Sequence, residues 1–212
     1  MDKTQEHLQD IKEIRSIMER SSRFISLSGL SGIFAGVFAL AGFTVAYLYL
    51  GLSVDSSSYF ENVRAAATHL YYDYVLFYFA DGLIVLAASL TAGFILTSRK
   101  AKRRGEKIWD ATAKRMLINL MIPLVTGGLF CLILLYHGKL SMVAPATLIF
   151  YGLALINASK YTLDDIRYLG ICEIILGLIA SVYVGYGFWF WAVGFGVLHI
   201  IYGTVMYYKY ER

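Results

Sequence analysis

The sequence predicts an all-α membrane protein: a six-transmembrane-helix bundle with a short N-terminal amphipathic helix and both ends in the cytoplasm. Three observations lead there. Of 212 residues, 58% are hydrophobic and only 16% are charged, against about 45–50% and about 25% in a soluble domain. Six apolar segments, 24–50, 74–97, 116–136, 142–158, 168–187 and 188–208, are each near the length that crosses a bilayer, for which about 20 residues suffice. Threading them through a membrane also puts nearly all the basic residues on one side. Two cysteines exclude a disulfide scaffold, and the polar stretches are too short for a soluble catalytic domain. Transmembrane β-strands would alternate over about 10 residues, and that pattern is absent.

The chain divides into residues 1–23 and a single six-helix domain, 24–212. Residues 4–22 read as a helix in which Leu8, Ile11, Ile14 and Met18 share one face. Arg15, Glu19 and Arg23 stand at four-residue spacing on the polar side. This helix is expected on the lipid surface, against the bundle, or docked on a partner. The first apolar segment is far longer than the core of a cleavable signal and is expected to stay as a signal anchor. Along it Ser28, Gly32, Ala35, Ala39, Gly42 and Ala46 form a seam of small residues. Such seams let helix backbones approach closely, a main source of association in lipid. The neighbour could lie in the same chain or in another.

The second segment carries Asp81, five to seven residues from its outer end. It is followed by a basic loop with Arg99, Lys100, Lys102, Arg103, Arg104 and Lys107, expected to meet anionic lipid headgroups at about 1 kcal/mol per charge. Topology alone demands positive charge here, so no nucleic-acid partner is expected. Asn119 opens the third segment and Asn157 ends the fourth, while Pro123 and Pro145 are expected to kink them. The fifth and sixth, joined near Gly185–Gly187, are expected to form an antiparallel hairpin. On the fifth, Glu173 shares a face with Gly170, Gly177, Ala180 and Ser181; on the sixth, His199 shares one with Ala192, Gly196 and Gly203. A charged side chain within a span is costly and points inward at a partner or a cavity.

Orientation follows from the basic residues. Five precede Phe24, eight lie between Arg99 and Arg115, and Lys160, Arg167, Lys209 and Arg212 complete the inner set; only Arg64 and Lys139 fall outside. The positive-inside rule then puts both termini in the cytoplasm.

Chemical motifs are sparse. HExxH, Walker A and CxxC patterns are absent, no lysine lies within a span, and His199 is the one deep histidine. No metal site or cofactor is expected. Gly29-Leu30-Ser31-Gly32 formally matches the GxSG of rhomboid proteases, but the serine sits near the cytoplasmic side and no Trp-Arg loop accompanies it, so no enzyme is expected. At 1.5 Å per residue, Glu173 lies roughly 7 Å and His199 roughly 13 Å from the inner surface. With Asn119 and Asn157 below them, they read either as a structural clamp or as a polar funnel open to the cytoplasm.

Two stretches, Met18-Glu-Arg-Ser-Ser-Arg-Phe-Ile-Ser-Leu-Ser-Gly-Leu-Ser-Gly32 and Ala144-Pro-Ala-Thr-Leu-Ile-Phe-Tyr-Gly152 continuing through Asn157-Ala-Ser-Lys-Tyr161, resemble segments of a family of uncharacterised bacterial multi-span membrane proteins. The resemblance implies a similar span layout and the bacterial cytoplasmic (inner) membrane; it brings no activity. Two functions are therefore expected in order. The first is a non-enzymatic membrane subunit assembling as a homo-oligomer or with a membrane protein partner through the small-residue seam of the first segment and the N-terminal helix. The second is a carrier or channel for a small polar solute or ion, with Glu173 and His199 in its site.

Overall fold

The computed structural model describes residues 28–49, 68–105 and 109–212. The helix expected over 4–22, the start of the first segment, Arg64 and Lys107 lie outside the described residues. Among the described residues six helices follow in order: α1 Gly29–Tyr49, α2 Thr68–Arg104, α3 Ala111–Tyr136, α4 Val143–Ser159, α5 Asp165–Val182 and α6 Gly187–Tyr210. No strand occurs among the described residues. Five of the six are long and apolar enough to cross a membrane, as a multi-pass membrane protein requires. The sixth, α5, carries Asp165, Arg167 and Glu173 within 18 residues, and that charge separates it from the others.

Helix ends follow local chemistry. α3 begins at Ala111, ahead of the expected 116, because the Asp110 side chain accepts a hydrogen bond from the Ala113 amide. α2 outruns its expected 74–97 at both ends and reaches 37 residues, about 55 Å at 1.5 Å per residue, well beyond a hydrocarbon core of about 30 Å. Pro145 does not interrupt α4 as expected. It stands third in that helix, directly after a 3₁₀ turn at Leu140–Met142, in the first turn where a missing N–H costs nothing. Pro123 does fall inside α3. The α5–α6 hairpin turns at Gly185, whose φ of 104° favours glycine.

Packing joins two pairs. In the first, α4 lies on α5: a Cβ at Gly152 would come within 2.5 Å of the Gly170 carbonyl, and one at Gly170 within 2.7 Å of the Gly152 carbonyl. In the second, α1 lies on α6 through Gly29 and Gly32 against Gly203, and Gly36 against Gly196 and Ile200. The seam on α1 thus finds its neighbour inside the chain, and the closest approaches fall on Gly29 and Gly36, beside the expected register. Ser28, Ala39, Gly42 and Ala46 are buried, while Gly32 and Ala35 stay partly exposed. Farther along, Gly42 faces Val85 and Asp81 of α2. α2 is packed chiefly on α1, and α3 chiefly on α4, where Phe150 fills the space over Gly127. Where α5 starts and α6 ends, Leu155, Leu163, Ile166, Leu169 and Met206 form a common apolar core.

The start of α1 is closed by the end of the chain. The Glu211 carboxylate accepts from the Gly29 amide, from Ser28 Oγ at 3.3 Å and from Lys100 Nζ at 3.4 Å. Lys100 is accordingly buried and turned away from the lipid-facing position expected of it. Arg99, Lys102 and Arg103 remain exposed. Nearby, Lys209 Nζ and the Tyr210 hydroxyl donate to Asp165 at 2.9 and 2.7 Å.

Candidate functional site

The α4–α5 pair meets α6 around Glu173, the ninth residue of α5. Its side chain is wholly enclosed. Room for the carboxyl comes from Gly194 on α6, where a Cβ would fall within 2.5 Å of Glu173 Oε2 and of Leu148 Cδ2. His199 Nδ1 stands 3.5 Å from Glu173 Oε1, yet its hydrogen bond goes elsewhere. A π-helical turn over Ala192–Leu198, rich in small residues, brings the Gly194 carbonyl within 2.9 Å of that nitrogen. The other ring nitrogen, Nε2, lies 2.8 Å from the Tyr151 hydroxyl of α4. A neutral imidazole with its proton on Nδ1 satisfies both contacts: Nδ1–H donates to Gly194, and Tyr151 donates to Nε2. Tyr151 and Phe195 also stack on the imidazole, at 5.4 and 5.8 Å between centroids. Neither Glu173 oxygen has a hydrogen-bond partner among the described residues. That is an expensive omission, about 1–3 kcal/mol for a neutral group.

The remaining polar residues do not join this cluster. Asn119 donates to the Arg115 carbonyl one turn back in its own helix, and its own backbone carbonyl accepts from Asn157 Nδ2, both at 2.8 Å. The two asparagines clamp α3 to α4; no hydrogen bond links them to Glu173 or His199 among the described residues. Ser31, the serine of the GxSG match, donates to the Ser28 carbonyl, while His199 is held by Tyr151 and Gly194. Cys131 and Cys172 are free thiols. No group of three metal-ligating side chains occurs among the described residues.

Asp81 lies apart, against Gly42 of α1. It lines a cavity of about 200 Å³ between α2, the start of α4 and the start of α6. Sequence reasoning found Glu173, His199 and Asp81 as ionisable groups within spans, and missed Tyr151 and the cavity. Tyr151 is the sole tyrosine of α4, the one signal that could have marked it. The cavity joins segments far apart in the chain and leaves no local trace.

Compared with protein-family models, with curated proteins and with solved structures, the chain matches none.

Proposed function

We propose that the chain is a non-enzymatic polytopic subunit of the cell inner membrane that assembles with a second copy of itself or with a membrane protein partner. The observation that carries this reading is the state of α2. It is the longest helix, its neighbour within the chain is chiefly α1, and no residue of its apolar window is buried. Exposed apolar surface alone calls for nothing in lipid, which is as apolar as leucine. A helix this long held along one side nevertheless offers a broad surface to a protein neighbour. Most of the α1 seam already faces α6 and α2 within the chain, so we place the assembly surface on α2 rather than on that seam. Both termini lie on the cytoplasmic side, and the exposed Arg99, Lys102 and Arg103 meet anionic lipid there.

Crosslinking tests this. Single cysteines replace Ala80, Ile84 or Ala87, all exposed on α2, in a chain whose Cys131 and Cys172 are alanine. Oxidation in native membranes should give a crosslinked species from at least one position. A chain that stays uncrosslinked to itself at all three positions, and that purifies from native membranes without any other membrane protein, would overturn the reading. The alternative, a carrier or channel with an inward-facing Glu173/His199 site, draws less support from the packing. Such a site needs an opening, and here Glu173 is sealed between α4, α5 and α6.

A further inference from the structure

The cavity beside Asp81 has a composition of its own. The rings of Tyr78, Phe188 and Trp191 contribute walls, Thr147 adds a hydroxyl, and Asp81 is the one charged side chain lining it. Tyr78 meets Phe188 edge-on at 5.8 Å, and Phe188 and Trp191 lie nearly parallel with centroids 6.5 Å apart. Among the described residues no lysine, arginine or histidine pairs with Asp81. An acid set within an apolar helix with no protein cation beside it is costly to keep. The lining leaves a volume for something that would meet it.

The class of occupant follows by elimination. A hard metal cation needs about six or more oxygen ligands, or a shell of retained water; one carboxylate among aromatic rings supplies little of that. An anion would meet Asp81 as a like charge. A cation with an apolar body gains from both parts of the lining. Its charge faces the carboxylate, and its carbon surface lies on ring faces whose quadrupole attracts it. At about 200 Å³, the cavity is smaller than the roughly 300–1,000 Å³ of drug-sized sites, so the occupant is compact. We propose that the cavity bounded by Asp81, Tyr78, Phe188 and Trp191 binds a small organic ammonium ion.

The test uses the full chain in nanodiscs of phosphatidylglycerol, a lipid without an amine, with tetramethylammonium as probe and tert-butanol as its uncharged counterpart. Calorimetric titration should show saturable binding of tetramethylammonium and none of tert-butanol. Asp81→Asn should weaken that binding about tenfold or more, and Trp191→Leu should weaken it less. Val143→Phe, which adds bulk at a lining residue and keeps the carboxylate, should abolish it, and keeps the test decisive if Asp81→Asn fails to fold. Adding phosphatidylethanolamine separates two sources of the same chemistry. Loss of probe binding would assign the ammonium to a lipid headgroup, and retained binding to a free solute. Equal binding of probe and tert-butanol, or unchanged binding in Asp81→Asn, would overturn the proposal and leave an apolar slot.

Discussion

Glu173 stands in the middle of α5 with neither carboxyl oxygen in a hydrogen bond among the described residues, although a histidine nitrogen lies 3.5 Å away. The imidazole is committed on both sides, to the Gly194 carbonyl and to Tyr151, so it cannot turn to the acid without giving up a bond. A clamp of this kind predicts an asymmetry among substitutions. Glu173→Gln keeps the volume and removes an unsatisfied ionisable group, so thermal stability in detergent should be unchanged or slightly higher. Tyr151→Phe removes one buried hydrogen bond and should cost about 1 kcal/mol. Gly194→Ala should be the worst of the three, because its methyl would press on Glu173 Oε2 and Leu148 together; overpacking costs about 1–3 kcal/mol. A thermal unfolding series would check the order, and a Glu173→Gln variant less stable than Gly194→Ala would break it. Glu173 and His199 were legible in the sequence because ionisable residues in apolar segments stand out. Tyr151 was not, since tyrosine is abundant in this chain and its hydroxyl matters only once α4 is seen beside α6.

At the scale of elements, close helix contacts recur on glycine. The α1 seam is readable as a run of small residues, but its register is not. α1 serves two neighbours, α6 through Gly29, Gly32 and Gly36 and α2 through Gly42, and a single stripe cannot describe both. The Gly152–Gly170 contact is of the same closeness, and in the sequence Gly152 differs in nothing from exposed glycines such as Gly128. Gly170→Leu would drive a side chain into the Gly152 carbonyl and Ile156. It should therefore separate α4 from α5 and abolish the folded species in size-exclusion chromatography, whereas Gly128→Leu, with open space around it, should elute as wild type. The end of the chain supplies a second element-level pin. Glu211→Ala removes the acceptor for the Gly29 amide and for Lys100, and loss of a helix cap costs about 0.5–2 kcal/mol. Asp165 adds a pH-dependent contact between α5 and α6. Partial burial works to raise its pKa, but hydrogen bonds from Lys209 and Tyr210 outweigh this and hold it below the ordinary carboxylate value. A lowered folded pKa contributes stability above the unfolded value of about 3.9, and that stability fades as pH falls through the folded value. Acid unfolding of Asp165→Asn should accordingly be less steep than that of wild type below about pH 4.

For the whole molecule, the apolar helices and their approximate bounds are present in the sequence, because a bilayer selects length and hydropathy and little else. Which helices touch is set by shape, and in lipid no hydrophobic gain ranks one neighbour over another. That is why the two pairs, the position of α2 and the cavity beside Asp81 emerge only in three dimensions. Charge supplies the last global feature. The ends where α1 starts and α6 finishes meet at Glu211, α2 reaches it through Lys100 in its last turns, and α5 starts there at Asp165. Among the described residues every lysine and arginine except Lys139 belongs to that end of the bundle. Moving this end across a membrane would carry the whole basic set with it, so the positive-inside rule predicts that it faces the cytoplasm. His137→Cys and Lys160→Cys, exposed at opposite ends, report the orientation in a chain with alanine at Cys131 and Cys172. An impermeant maleimide added to intact cells should label position 137 and spare 160, which should react only after the membrane is opened. Labelling of 160 alone in intact cells would invert the orientation, and labelling of both would show that the two ends do not lie on opposite sides of a closed membrane.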